Sequence, residues 1–241
     1  MSPKKLILLS TFIISTIMIS QTISGQQRTT AKNFQVREFN SIKSDMIGNI
    51  IITQSNNSSV RAEGSQDLIN ALTVEVSNGE LKLSMKSSIK KRFKKTNSKL
   101  TVWVNSSQIN RVRNDGVGNI TLKGKIDTDE LLIESNGVGN FKADDLYVGN
   151  VKVNSDGVGN IILSGSAVFA ELNSDGVGNV DAKNLNSKDV IVHSNGVGSV
   201  KCYASRDIEL YASGIGSVTY YGNPNIKALH KDGIGSIKSG D

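Results

Sequence analysis

A block of six residues, first seen as Asp115-Gly116-Val117-Gly118-Asn119-Ile120, recurs in seven versions through the second half of this chain. The first glycines of these blocks lie 21, 20, 19, 20, 18 and 19 residues apart, a mean period of 19.5 residues. They are Gly116, Gly137, Gly157, Gly176, Gly196, Gly214 and Gly233. A fixed period near twenty residues is typical of stacked repeat proteins. Because all copies match in phase, each is predicted to form one coil of an all-β parallel solenoid, with like positions ~4.8 Å apart in adjacent coils.

The residues around the first glycine predict which side chains face the core. Four positions before it the residue is always apolar, and two positions before it a small residue is common, which indicates a strand with one buried face. The residue after it is always valine or isoleucine, and we expect it to be buried as well. A buried serine and a buried valine three residues apart require a bend, so corners are predicted at Asp/Asn-Gly and at Gly-Asn/Ser. The valine series is Val117, Val138, Val158, Val177, Val197, Ile215 and Ile234.

This alignment predicts how three substitutions affect folding. Val158→Asp is expected to cost more than ~3 kcal/mol, because it would bury an unpaired charge. Gly176→Val should destabilise the chain if that glycine has positive φ. Asn154→Asp, in an outward column, should hardly change the free energy of unfolding.

Two columns of polar residues follow from the same alignment. Stacked asparagines can hydrogen-bond along the solenoid axis, which predicts a structural ladder of Asn119, Asn140, Asn160, Asn179, Ser199, Ser217 and Ser236. The residue before the first glycine forms the column Asp115, Asn136, Asp156, Asp175, Asn195, Ser213 and Asp232. Corner geometry favours Asp and Asn there. Two alternatives stay open: Asp156 and Asp175, ~5 Å apart, could act as a catalytic carboxylate pair, or stacked aspartates could bind calcium.

The chain is predicted to have three segments. In residues 1–25, Lys4 and Lys5 precede an apolar run at 6–19, the layout of a secretory signal peptide cleaved after Ser20, Ser24 or Gly25. An uncleaved anchor is less favoured, because a membrane span needs ~20 apolar residues. No transmembrane segment is predicted in the mature chain. Residues 26–105 are predicted to form a leader and an N-terminal β-rich cap with early turns, and residues 106–241 the repeat β-helix.

The formal net charge of +6 comes mainly from one segment, the basic loop 86–99. It holds seven cations and one aromatic residue, without any acid: Lys86, Lys90, Lys91, Arg92, Phe93, Lys94, Lys95 and Lys99. Such a patch could bind an anionic polymer or an anionic envelope surface. The alternative is a solvated hairpin tip. Nucleic acid is not an expected partner of an exported chain.

Few other residues suggest chemistry. Tyr203, Tyr211 and Tyr221 are predicted to face outward, where they could stack on sugar rings or shield the last coil. His193 and His230 share an outward column two coils apart, ~10 Å, which is too far to share a metal. Cys202, the single cysteine, is predicted to be a small core residue. No catalytic site, metal site or cofactor is predicted.

The repeated Gly-Val/Ile-Gly-Asn/Ser block resembles the head GIN domain family of putative auto-transporter adhesins. The segments that precede the repeats share the resemblance, which covers about residues 34–238: Ile50-Ile51-Ile52-Thr53-Gln54, Val60-Arg61-Ala62-Glu63-Gly64, Leu72-Thr73-Val74-Glu75-Val76 and Leu81-Lys82-Leu83. The resemblance implies a right-handed parallel β-helix, exported by Gram-negative bacteria and adhesin-like. It supplies no catalytic or ligand motif to carry over.

The sequence as a whole predicts an exported, non-enzymatic β-helix of the cell envelope that presents a binding surface. Its location is predicted to be the periplasm, the outer cell surface or the medium. Its partner could be a polysaccharide, an anionic envelope surface or another protein, and the sequence predicts no oligomeric state. A carbohydrate-active β-helix enzyme and a purely structural envelope component are the alternatives.

Overall fold

Each repeat forms one coil, and successive coils stack in parallel register. The computed structural model describes residues 17–18, 29–86 and 99–241, and these form a β-solenoid of about six turns. Phe141 pairs with Ile161, Ile161 with Val180, and Val180 with Val200, each one coil further along. The predicted parallel solenoid is confirmed.

The solenoid body consists of twelve of the described strands. Because strands β3 (Ser41–Asp45) and β4 (Asn49–Gln54) pair in parallel with β9 (Arg111–Asn114) and β10 (Ile120–Leu122), stacking begins at residue 41, before the first clear repeat. There are eight stacked corners, of which the first and the last belong to incomplete coils. The strands are β3 (Ser41–Asp45), β4 (Asn49–Gln54), β9 (Arg111–Asn114), β10 (Ile120–Leu122), β11 (Ile126–Ser135), β12 (Phe141–Ser155), β13 (Ile161–Ser174), β14 (Val180–Ser194), β15 (Val200–Ala212), β16 (Ile215–Tyr221), β17 (Asn225–Lys231) and β18 (Ile234–Ser239).

An antiparallel cap closes the N-terminal end of the stack. Its elements are β1 (Ile17–Met18), β2 (Thr29–Phe34), β5 (Ser59–Ser65), α1 (Gln66–Ala71), β6 (Leu72–Ser77), β7 (Glu80–Met85) and β8 (Leu100–Ser106). Strands β7 and β8 extend the parallel stack over β3 and β4, and then β6 and β5 pair with them in the antiparallel sense. Helix α1 places the buried side chains of Leu68 and Ile69 over the core. Strands β3 and β4 of the first coil are therefore paired on both sides.

The core is a stack of aliphatic columns. Residues four positions before the first glycine, such as Val153 and Leu172, are fully buried in every complete coil. The serines two positions before the glycine are also buried, and the carbonyl oxygen of Ser135 accepts the N–H groups of both Asp156 and Gly157 from the next coil. Each coil buries about four aliphatic side chains, at roughly 1.5–3 kcal/mol each before chain entropy is counted.

The prediction that the valine after the first glycine is buried is wrong. Val158 is 51% exposed, and the other members of its column are exposed to a similar or greater degree. The chain does bend at both glycines, but the alternation of inward and outward residues continues through the bends, with glycine at the inward positions. Glycine is required because a Cβ on Gly176 would lie 2.2 Å from the carbonyl oxygen of Gly157 in the preceding coil. Val158→Asp is therefore not expected to bury a charge.

The variation in repeat length is absorbed away from these glycines. Register shifts between adjacent coils occur directly after Ala143, Ile162 and Ala182. These residues lie in the strand segment that follows the glycine corner. The residues from the inward strand through the two glycines pair in register without a shift in these coils. The glycine corner is thus the most uniform surface of the solenoid.

Candidate functional site

A column of exposed aliphatic side chains runs along the glycine corner. It begins at the partly buried Ile47, continues by single-residue parallel bridges, and ends at Ile234, which pairs with Ile215. We call this column the valine ridge: Ile47, Val117, Val138, Val158, Val177, Val197, Ile215 and Ile234. From Val117 to Ile215 the exposed fraction is 49–54%, and at Ile234 it is 75%. Seven neighbouring aliphatic side chains therefore face solvent.

From Val138 to Val177, the main-chain N–H and carbonyl groups of the ridge residues are already bonded to the neighbouring coils. The N–H of Val138 donates to the carbonyl oxygen of Gly116, and the carbonyl oxygen of Val138 accepts from Gly118, at 2.9 and 2.8 Å. The same pair of bonds repeats at Val158 and Val177. A partner can therefore contact this part of the ridge only through side chains.

Polar side chains form the aspartate column along one side of the ridge: Asp115, Asn136, Asp156, Asp175, Asn195, Ser213 and Asp232. Amide donors join several neighbours, since Asn136 Nδ2 donates to Asp115 Oδ1 and Asn195 Nδ2 donates to Asp175 Oδ1, both at 2.8 Å. Asp156 and Asp175 occupy adjacent coils without an intervening amide. Calcium binding by this pair stays an untested alternative.

Asp115 at the N-terminal end of the aspartate column is neutralised by neighbouring cations. Arg113 Nε lies 2.8 Å from Asp115 Oδ2, and Lys43 Nζ lies 3.5 Å from the same oxygen. Burial alone would raise the pKa of the Asp115 carboxyl, but hydrogen bonds from Arg113 and Asn136, with the nearby positive charges, lower the pKa below its ordinary value. The free negative charge of the column therefore lies further along, from Asp156 onward.

The predicted asparagine ladder is confirmed along the other side of the ridge. Each side-chain oxygen accepts the main-chain N–H of the next coil, from Asn49 to Ser199, at 2.9–3.1 Å. Asn179 also donates its Nδ2 to Asn160 Oδ1 at 3.0 Å. The ladder fixes the pitch of the corner and leaves rigid, outward-facing amides beside the ridge.

A groove runs between the aspartate column and the ridge. It has a volume of about 760 Å³, and its floor is the first glycine of each of six consecutive coils, from Gly116 to Gly214. Together the ridge, its two polar columns and this groove make up the ridge face. The face is long, straight and repetitive, so it suits a repetitive or extended partner better than a small molecule.

Most of the predicted basic loop lies outside the described residues. That segment includes Lys90, Lys91, Arg92, Phe93, Lys94 and Lys95. Lys86 and Lys99, which flank it, are exposed in the cap end of the molecule. A Cβ on Gly48 would lie 2.7 Å from the carbonyl oxygen of Leu100, so the chain returns from the basic loop directly above the first glycine corner. The patch for an anionic ligand stays a prediction.

The three predicted sugar-stacking tyrosines are already partly packed. Tyr211 is stacked between His193 and His230, with ring centroids 4.8 and 5.3 Å apart, so imidazoles cover the two ring faces that a sugar would use. Tyr203 and Tyr221 pair in register, and each is packed against a glycine of the following coil. These contacts favour the alternative that the tyrosines shield the last coils.

Sequence reasoning missed two of these features. The His193–Tyr211–His230 stack follows from the alignment of the repeats, which places Tyr211 in the same outward column as the two histidines. The valine ridge contradicts the rule that apolar residues face inward. The sequence signal was the two-residue spacing from aspartate to valine and from valine to asparagine, which places all three on one face.

Other sites for chemistry are few in the described ranges. Among the residues that the structure describes, no cluster of three or more His, Cys, Asp or Glu side chains could hold a metal ion. Cys202 is 1% exposed, and burial raises the pKa of its thiol to about 12. No helix in the described part of the chain is long and apolar enough to cross a bilayer.

Comparison with known proteins places the chain in a family. Residues 38–224 match the family model described as putative auto-transporter adhesin, head GIN domain. The chain belongs to the head GIN domain family. A solved structure of a putative adhesin from Bacteroides fragilis NCTC 9343 is 36% identical, with a TM-score of 0.84, and the match covers 90% of this chain and 100% of that one.

Two more distant structures share the fold of this head GIN domain. A putative lipid binding protein from Parabacteroides distasonis ATCC 8503 has 20% identity and a TM-score of 0.65. A putative adhesin from Parabacteroides merdae ATCC 43184 has 19% identity and a TM-score of 0.62. Each match covers 91% of this chain and 99% of the other. A search of the curated proteins found no match. The names of the family and of the 36% identical structure support an adhesin-like role.

Proposed function

We propose that this chain is an exported, non-enzymatic, adhesin-like protein whose binding surface is the ridge face. The observation that carries the proposal is the row of seven aliphatic side chains, from Val117 to Ile234, each about half exposed or more. Contiguous exposed apolar surface on a soluble domain marks an interaction site more often than not. The fold does not need these side chains in its core, because other aliphatic columns already fill every coil.

The construction of the face also supports binding. Its pitch is fixed by the asparagine ladder, and its glycine floor leaves no room for a side chain that would block the groove. Repeat-length changes are confined to other parts of the coil, so the face is uniform for its whole length. A rigid, preorganised surface loses little conformational entropy when a partner binds.

Export and location are part of the same proposal. Lys4, Lys5 and the apolar run at 6–19 give the chain the layout of a signal peptide, and family membership points to the cell surface or envelope. The basic loop 86–99 is proposed as a second contact, with an anionic polysaccharide or envelope surface. N-terminal sequencing of the mature protein and surface labelling of intact cells test export directly; an unprocessed, intracellular chain would contradict it.

The binding surface is tested by comparing two matched double variants. V158S/V177S changes two ridge side chains that are 51% and 53% exposed, and V168S/I226S changes two aliphatic side chains of similar exposure, 47% and 42%, elsewhere on the solenoid. We expect the first variant to lose adherence of purified protein to cells or to arrayed envelope polysaccharides, and the second to keep it. Equal adherence of both variants would remove the ridge face from the proposal.

Two further measurements separate the alternatives. A reducing-sugar assay on the same polysaccharides should show no product, and any product would overturn the non-enzymatic assignment. Replacement of Lys90, Lys91, Arg92, Lys94 and Lys95 by serine should weaken binding to anionic surfaces; unchanged binding would exclude the basic loop. Absence of binding to every surface would favour a purely structural role.

A further inference from the structure

We propose that the partner of the ridge face is the ridge face of a second copy of this chain, packed side by side with both solenoids pointing the same way. The inference rests on the proposed function, because it takes the same ridge face as the binding surface. It goes further by naming the occupant, its orientation and the contacts that would hold it.

The pitch of the ridge selects a second copy. Eight ridge positions rise one coil at a time, so the ridge is about 34 Å long at ~4.8 Å per coil. A partner whose repeat differed by about 0.5 Å per unit would be out of step by about 3.5 Å after seven coils. A second copy has the same pitch by construction, so its side chains can remain in step along the whole ridge.

The chemistry of the face favours side-chain interdigitation over strand addition. The main-chain groups at Val138 are bonded to the coils on either side, so an extended peptide finds no free edge there. What remains is a row of methyl groups beside a glycine-floored groove. Two such rows can form a dry, interlocked contact of the kind seen when identical strands stack side chain to side chain.

Charge selects the orientation. With both copies pointing the same way around a two-fold axis parallel to the ridge, the aspartate column of one copy faces the asparagine ladder of the other. Each asparagine of the ladder has two hydrogens on Nδ2 and donates at most one of them within the ladder, as Asn179 does to Asn160 Oδ1. Carboxylates such as Asp156 and Asp175 can therefore accept a hydrogen bond from the partner.

The opposite orientation is disfavoured by the same columns. If the copies ran antiparallel, the two aspartate columns would face each other and bring like charges together without an intervening cation. Within the aspartate column, Arg113 and Lys43 neutralise only Asp115, at its N-terminal end. The parallel arrangement also places both N-terminal caps at the same end, as expected for two copies displayed on one surface.

The size of the face predicts a weak association. The three outward columns span about four residue steps, or ~13 Å, so the footprint is roughly 440 Å². Stable complexes bury about 800 Å² on each partner. We therefore expect a monomer in dilute solution and self-association only at high local concentration, such as that of molecules crowded on a surface.

Cysteine cross-linking of the full chain tests the proposal. Val138→Cys places a thiol on the ridge, and Val168→Cys places one at an equally exposed aliphatic position elsewhere. The native Cys202 is buried and stays silent in both variants. Under mild oxidation of concentrated protein, V138C is expected to form disulfide-linked dimers several-fold faster than V168C, and added V158S/V177S changes should abolish the difference.

Two outcomes would overturn the inference, and each is distinct from a failure of the proposed function. Cross-linking of V138C to Ile215→Cys in a mixture, without V138C homodimers, would show antiparallel copies. Equal rates for V138C and V168C would show that the ridge does not self-associate. If V158S/V177S still lost adherence in that case, the ridge face would remain the binding surface and its partner would be a different molecule.

Discussion

Asn179 donates both its main-chain N–H and its side-chain Nδ2 to a single oxygen, Oδ1 of Asn160 in the preceding coil, each at 3.0 Å. Asn160→Ala removes the acceptor of both bonds. Because the site is exposed and water can replace part of the loss, we expect a decrease of about 1 kcal/mol in the free energy of unfolding. Asn186→Ala, at an exposed strand position, should stay within about 0.5 kcal/mol of the wild type. Chemical denaturation measures both, and equal values would mean that the ladder does not stabilise the corner.

The stacked glycines should be the least tolerant positions of the corner. In Gly176→Ala the new Cβ would lie 2.2 Å from the carbonyl oxygen of Gly157, so the two coils must separate locally. We expect a loss of more than ~3 kcal/mol in the free energy of unfolding, or no folded protein. The reason differs from the one expected from the sequence. Gly176 is not among the glycines with positive φ, so the close contact between coils, and not the backbone conformation, requires glycine there.

Gly124→Ala is the matched control for that prediction. Gly124 has a φ of +79°, but a Cβ there would meet no atom within 4 Å. Only the backbone penalty of a left-handed residue remains, about 1–2 kcal/mol. If Gly124→Ala were the more damaging of the two, close stacking would not be what requires glycine at the corner.

Two valines of one coil should respond differently to the same substitution. Val153 is fully buried, whereas Val158 is 51% exposed on the ridge. Val153→Thr buries a hydroxyl and is expected to cost about 1–3 kcal/mol. Val158→Thr should stay within about 0.5 kcal/mol of the wild type. Thermal or chemical unfolding of the two variants decides the point, and a larger cost at Val158 would contradict the outward orientation of the ridge.

The architecture could be predicted from the sequence because stacking depends on a repeated pattern. Columns such as Val153 and Leu172, and the asparagine ladder, follow directly from aligning the copies, since like positions in a solenoid lie one over another. The hairpin between β6 and β7 depends on local sequence in the same way, because Asn78 and Gly79 both have the positive φ that its tight turn requires.

The ridge could not be predicted with the same rule. Hydrophobicity usually indicates burial, and Val158 is exposed because the neighbouring coil leaves no space for an inward side chain on either side of it, at Gly157 and Gly159. That constraint comes from the distance between adjacent coils, which cannot be derived from a single sequence. The packing of Tyr211 between two imidazoles likewise depends on register across three coils.

Cys202 should report on unfolding and not on surface chemistry. Its side chain is 1% exposed, and burial raises the pKa of the thiol to about 12, so the reactive thiolate is scarce at neutral pH. We expect a thiol reagent to label the native protein only as fast as the chain opens, and to label it at once in denaturant. Rapid labelling without denaturant would show that the core around β15 is open in solution.

Acid should remove a small ionic contribution between coils. Lys152 Nζ lies 2.7 Å from Glu171 Oε1 in the next coil. The hydrogen bond from Lys152 outweighs burial and lowers the pKa of Glu171 below its ordinary value. A carboxyl whose folded pKa is depressed stabilises the fold above its unfolded pKa of ~4.3, and this stabilisation is lost as pH falls through the folded value.

Lys152→Met tests that contribution. Because both side chains are partly exposed, solvent screening limits the pair to about 0.5 kcal/mol at pH 7. We expect Lys152→Met to lower the free energy of unfolding by about that amount at pH 7 and by progressively less as the pH falls through the folded pKa of Glu171, because protonation of the carboxyl removes the ion pair. The two unfolding curves should therefore converge as the pH is lowered. A difference that stayed constant with pH would mean that Lys152 acts through packing of its aliphatic stem and not through its charge.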